Sequence, residues 1–346
     1  TLSRSLSETT LTTYAAGPLC FTQFCNRWSI DKDNRMPASP ILLSAFLGSH
    51  AGTVSSPTAK NWVAGMRMWH IINNAEWHSD HEWVRLALRT ACKEGSRFKC
   101  PLRSPVTIRH LRVLKEHLRT NEPYGAAVFV VAIVTFFGCH RLGETTVPSN
   151  TGFDSKLHAT RASEITFSTT ADGIETVDIC IPWTKTTKEA GGTIILTAHG
   201  DDICPVEALK NHLKINNLPK EASLFAYRKN PVSNKDLNNT IPWVHMHKQD
   251  FLKMVNHFWT FHSLGAINGH SFRIGGTVAL LLAGVPPKMV AATGGWTSLA
   301  FLGYWRRIED IVTAATSQAY RQKTITEIGV AFEKFRIQQN LPVSSL

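Results

Sequence analysis

From Ala126 to Gly138 the chain reads AAVFVVAIVTFFG, apolar but for Thr135 and without a charge. It is shorter than the roughly 18–20 residues needed to cross a bilayer. A helix with no polar stripe must instead be surrounded by the rest of its domain. The run therefore predicts a buried helix. It ends directly in GCHRLGE, which sets Arg141 and Glu144 at the edge of that core. No longer run of apolar residues is free of charge, so no membrane span is expected.

At 346 residues the chain is long enough for two domains, each with its own core. The first hundred residues read as helices. Leu11, Tyr14, Leu19, Phe21, Phe24 and Trp28 recur at helical spacing. Ile41–Leu47 is a short apolar helix after MPASP, and SSPTAKNWVAGMRMWHIIN opens on Ser and Pro, as helices do, with Trp62, Met66 and Trp69 on one face. Trp83–Cys92 follows. We expect a helical domain over 1–97, a basic, Pro-containing linker over 98–106 and a second domain over 107–346. After helices at 107–119 and 126–138, the runs EITF, TVDICIPW and GTIILTA are β-rich and separated by turn residues, which predicts a three-stranded antiparallel sheet. Helices return at 205–216, 248–261, 272–282, 287–292 and 300–308, with a final segment to Gln339. The fold class is thus mainly α with a small antiparallel β-sheet.

Thirty-seven Lys and Arg against 26 Asp and Glu give a net charge of +11, which favours an anionic partner, nucleic acid above all. The excess is dispersed: residues 1–105 carry 12 basic and 7 acidic groups and the remainder 25 and 19, so both parts would share the contact. Seven cysteines without framework spacing read as free thiols in a reducing compartment. The chain begins at Thr1, and the expectation is that the native start precedes it.

Five stretches carry chemistry. They are Arg141 and Glu144 in HRLGE, Lys185 in WTKTTK, His270 and Arg273 in GHSFRIGG, Trp296 after two glycines, and Tyr304 in FLGYWRR. Taken singly each has an ordinary reading: a helical ion pair, a solvated hairpin lysine, a core tryptophan. Together they suit the breaking and rejoining of a phosphodiester without metal. Its pentacoordinate transition state gathers charge on the phosphate oxygens and needs fixed cations and donors. Arg141 and Arg273 present guanidinium forks that match phosphate and stay charged. His270 is able to donate to the phosphate or take a proton, and the Trp296 indole N–H is donor only. Tyr304 would be the nucleophile: a phenol with a pKa near ~10 needs surrounding positive charge to react. Lys185 at a β-turn would protonate the leaving 5′ oxygen.

The order Arg141…Glu144, Lys185, His270-x-x-Arg273, Trp296, Tyr304 resembles the tyrosine recombinase family. GHSFRIGG with GGWT downstream is similar to its Cre-like members, where a Trp stands in place of the usual His. GGWTSLAFLGYWRR looks closer still to the recombinases of Crypton-type DNA transposons. The resemblance implies an N-terminal helical core-binding domain and a C-terminal α+β catalytic domain that clamp duplex DNA bearing recombination sites. It also implies a 3′-phosphotyrosyl intermediate, no cofactor, a tetramer on DNA, Glu144 as an orienting acid, and nuclear residence. Tyr320 is the one other tyrosine downstream of the arginines in the sequence.

For DNA contacts we expect Lys60, Arg67 and His70 from the helical domain, and Arg103 and Arg109 from PLRSPVTIRHLR. WHSDHEW reads as a polar helix start, and neither it nor WVHMHKQD has the spacing of a metal site. The apolar positions Ile325, Ile328, Val330, Phe332 and Phe335 close a core of their own or dock on a neighbouring subunit. Two other functions compete: type IB topoisomerase-like relaxation, and a transposon-derived protein that only binds DNA.

Overall fold

The computed structural model describes residues 6, 8–98, 101, 103–149, 151–229, 243–296, 298, 301, 313, 316–317 and 325–339. The chain divides into two compact units, Thr1–Leu102 and Arg103–Leu346.

The first unit is helical: α1 (Glu8–Arg27), α2 (Pro40–Ser49), α3 (Ser56–Ile72) and α4 (Glu82–Glu94), closed by a 3₁₀ turn at Gly95–Phe98. The starts follow from local chemistry. Ser39 Oγ accepts from Leu42 N and Ser55 Oγ from Thr58 N, each with Pro in the first turn. The polar start expected in WHSDHEW is seen at α4, where the His81 ring accepts from Trp83 N at 3.3 Å. Phe21, Phe46, Trp62 and Met66 build the core, with Phe21 and Phe46 edge to face at 5.4 Å.

The second unit is wound around the apolar run. That run forms α6 (Pro123–Phe137), on which every residue from Gly125 to Phe136 is buried. α5 (Ile108–His117), the single turn α7 (Leu142–Thr145), α8 (Pro205–Ile215), α9 (Lys248–Phe261) and α10 (His270–Leu282) all pack against it. The sheet has the order β1 (Ile165–Thr169), β2 (Glu175–Ile181), β3 (Gly192–Thr197), antiparallel throughout. Val177, Ile179 and Ile181 of β2 and Ile194 and Leu196 of β3 alternate into the core. A two-residue ladder, β4 (Tyr227–Arg228) with β5 (Trp243–Val244), precedes α9. α11 (Pro287–Thr293) and α12 (Ile325–Gln338) complete the described elements. Of the helix expected at 300–308 only Phe301 is described, and it is buried. Among the described residues no helix is long and apolar enough to cross a membrane.

α10 starts at His270, two residues before the expected Phe272, and lies unusually close to α6. A Cβ on Gly275 would strike the carbonyl of Val106, and one on Gly276 the carbonyl of Phe136. The GG of GHSFRIGG is therefore a contact between backbones, and it brings Arg273 down beside the end of α6.

Candidate active site

The turn that leaves α6 passes through Cys139 at φ 53 and delivers Arg141 as the N-cap of α7. Glu144, one turn on, folds back onto it. Its Oε2 accepts from Arg141 N at 2.9 Å and from His140 Nδ1 at 2.8 Å, and its Oε1 accepts from Arg141 Nη1 at 3.0 Å. The Glu144 side chain is 7% exposed and that of Arg141 31%. Burial alone raises the Glu144 carboxyl, but the hydrogen bond and charge of His140, the Arg141 N–H and the Arg141 guanidinium outweigh it and bring it down to about 2. Glu144 is thus a fixed anion whose role in the structure is to hold Arg141.

The other side of that guanidinium reaches the β2–β3 hairpin, where Arg141 Nη2 donates to Thr186 Oγ1 at 3.0 Å. Thr184 and Thr187 wind this turn: Thr184 Oγ1 accepts from Thr187 N at 3.1 Å, and Thr187 Oγ1 donates to Gly191 O at 2.5 Å. Lys185, exposed, sits between the buried Thr184 and the residue that Arg141 holds.

His270 is the first residue of α10, half-buried, and its amide faces Asn268 Oδ1 at 3.3 Å. The preceding Gly269 lies against Leu142, the residue after Arg141, so the start of α10 abuts the start of α7. Arg273, one turn on, is 1% exposed. Its Nη2 donates to Gly294 O at 2.8 Å, and its guanidinium lies over the Trp296 ring, 3.8 Å from the centroid. Gly295 makes this possible: at φ 65 it ends α11 in a left-handed turn, and Trp296 N returns to Ala291 O at 2.9 Å. The contact of the indole face with Arg273 was not anticipated from the spacing, which pointed only to the indole N–H. Cys139 lies nearby, its thiol pushed up to about 12 by burial, against the opposing effects of Thr277 and Arg273.

The structure thus brings Arg141, Glu144 and the Lys185 turn into one group and Arg273 and Trp296 into a second, with the start of α10 between α7 and Arg273. Tyr304 and Tyr320 lie outside the described residues. His140 and Thr186 were missed: HxxxE spacing marks the first pair, but nothing local marks the second. Among the described residues no group of His, Cys, Asp and Glu is arranged to hold a metal ion. His245 pairs instead with Ser223 Oγ at 2.8 Å, and His247 with Asp250 at 3.1 Å.

On the first unit Lys60 and Arg67 are exposed on α3. His70 is a correction. It is fully buried, with Nε2 accepting from Ala38 N at 3.0 Å and Nδ1 facing Met66 O at 2.8 Å. Standing one turn after Met66 and two after Trp62, it shares the core stripe of α3 and cannot reach a groove of DNA. A row the sequence reading passed over is Arg85, Arg89 and Lys93, exposed on α4 at i, i+4 and i+8. Arg103 and Arg109 are exposed on the second unit.

No family model and no curated protein matches the chain. Solved structures do. A post-cleavage complex of the XerH site-specific recombinase with palindromic difH substrate matches with a TM-score of 0.53 at 14% identity, covering 91% of this chain and 79% of that one. The XerH pre-cleavage complex matches at 0.51 and 13%, covering 87% and 78%. A Tn1549 transposon integrase in complex with transposon right end DNA gives 0.39 and 13%, covering 90% and 98%. The fold of this chain is that of the tyrosine recombinases.

Proposed function

We propose that the protein is a tyrosine recombinase that cleaves and rejoins duplex DNA. The observation that carries the reading is the Arg141 corner: an arginine held by a buried carboxylate on one side and by the Lys185-bearing hairpin on the other. Such an arrangement presents a fixed cation to an anion and keeps a second cationic side chain, Lys185, on the hairpin it holds. In the proposed reaction His270 takes the proton of the Tyr304 phenol as the phenol oxygen attacks the scissile phosphorus and forms a 3′-phosphotyrosyl bond. The bond from phosphorus to the 5′ oxygen breaks, and that oxygen takes a proton from Lys185. Arg141, Arg273, His270 and Trp296 stabilise the charge that builds on the phosphate. The reverse reaction with the 5′-hydroxyl of a partner strand rejoins the backbone, so side-chain cations supply what a metal would otherwise provide.

Lys60, Arg67, the α4 row, Arg103 and Arg109 are proposed to hold phosphates. The ending GGWTSLAFLGYWRR supports a Crypton-type role, in which a tetramer on DNA integrates or excises a mobile element in the nucleus. The test uses duplexes carrying the element's terminal sequences, nicked so that the cleaved end diffuses away, with metal chelated. A denaturing gel should show protein covalently joined to DNA for the wild type and none for Tyr304→Phe. Tight binding without any adduct would refute the enzyme, and an adduct that survives the substitution would refute Tyr304 as nucleophile.

A further inference from the structure

Resting on that reading, we propose that Thr186 is a positioning residue, the latch that keeps Lys185 and Arg141 in register. Among the described residues Arg141 donates three hydrogen bonds: from backbone N and Nη1 to Glu144, and from Nη2 to Thr186. Of its five guanidinium N–H groups, three are left to face an anion. The Glu144 contacts fix one end of the arginine from beneath, because both partners belong to the same helical turn. The Thr186 contact is of another kind. It spans 45 positions of sequence and joins the end of α6 to a hairpin tip that has its own hydrogen-bonded frame.

Through that frame, holding Thr186 holds Lys185. Thr184 Oγ1 accepts from Thr186 N at 3.3 Å and from Thr187 N at 3.1 Å, and the Thr184 and Lys188 backbones exchange bonds of 3.2 and 3.0 Å. A tip wound so tightly moves as a unit. If Thr186 leaves Arg141, the ammonium one residue away leaves with it. The hydroxyl thus acts twice: it orients the guanidinium fork toward the phosphate, and it brings the proton donor to the same phosphate.

Thr186 is exposed, so the isosteric Thr186→Val removes the hydroxyl without opening a core. The first measurement is amide exchange of the 184–188 tip in the full chain without DNA. Thr186→Val should speed it about tenfold, the scale of one charge-assisted hydrogen bond. Arg141→Ala should do the same, the double variant no more than either, and Thr186→Ser should match the wild type. Additive effects, or a tip unchanged by Thr186→Val, overturn the latch whatever the protein does to DNA. The second measurement is single-turnover formation of the covalent adduct on saturating nicked duplex. Thr186→Val should lower the cleavage rate about tenfold or more with DNA affinity unchanged, and Thr186→Ser should restore it. Wild-type rates in Thr186→Val overturn the positioning role and leave the recombinase reading standing. A wild type that forms no adduct overturns both.

Discussion

Replacing Glu144 with Gln removes a buried anion that holds three donors while leaving the side chain's shape intact. The free-energy consequence follows from the carboxyl, whose ordinary value is 4.5 and which the fold brings down to about 2. A carboxyl lowered by folding stabilises the native state above its unfolded value, and that contribution is lost as pH falls through the folded one. The gap is worth about 3 kcal/mol at pH 7 and only about 1 kcal/mol at pH 3, where the unfolded carboxyl is already protonated. Glu144→Gln should therefore cost about 3 kcal/mol at neutral pH, and the cost should shrink by roughly two-thirds at pH 3. The assay is native-state hydrogen exchange of the α6 amides in wild type and variant between pH 3 and pH 7. Taking the difference between the two proteins cancels the other carboxylates. A cost that is the same at pH 3 as at pH 7 would mean that Glu144 acts by shape and not by charge, and the account of the Arg141 corner would be wrong.

Gly276→Ala should cost about 1–3 kcal/mol, because its Cβ meets the Phe136 carbonyl and α10 must move away from α6; a thermal melt unchanged from wild type would contradict the backbone contact. Lys60→Ala and Arg67→Ala should each reduce the slope of log affinity against log salt by about 0.9 if the side chain touches a phosphate. His70→Ala should leave that slope alone and lower stability, since the ring is buried against Ala38 and Met66. Binding titrations at several salt concentrations, with a melt of each variant, separate the three.

What the sequence determined by itself was local or periodic. Helical spacing in residues 11–28, the Ser-Pro start of α3, and the three β-rich runs are readable because each depends on neighbours within a few positions. The apolar run to Gly138 foretold a buried helix because no other environment accepts thirteen such positions, Ala126–Gly138, in a row. Arg141 and Glu144 were legible as a pair because one helical turn joins them. His70 was misplaced in a groove although it stands at i+4 and i+8 from Met66 and Trp62, because an imidazole suits a core as well as a groove. Only the partners at Ala38 and Met66 decide between them.

Contacts across long stretches of chain were left to the tertiary structure. That Arg141 reaches Thr186, that Trp296 covers Arg273, and that the Gly275–Gly276 pair seats α10 on α6 all depend on how separate elements pack. A periodic pattern tells which face of an element is buried but not what it is buried against. For the same reason the sequence could name Glu144 as an acid but not show it as a fixed anion near 2: burial and three converging donors set that value, and they exist only in the folded chain.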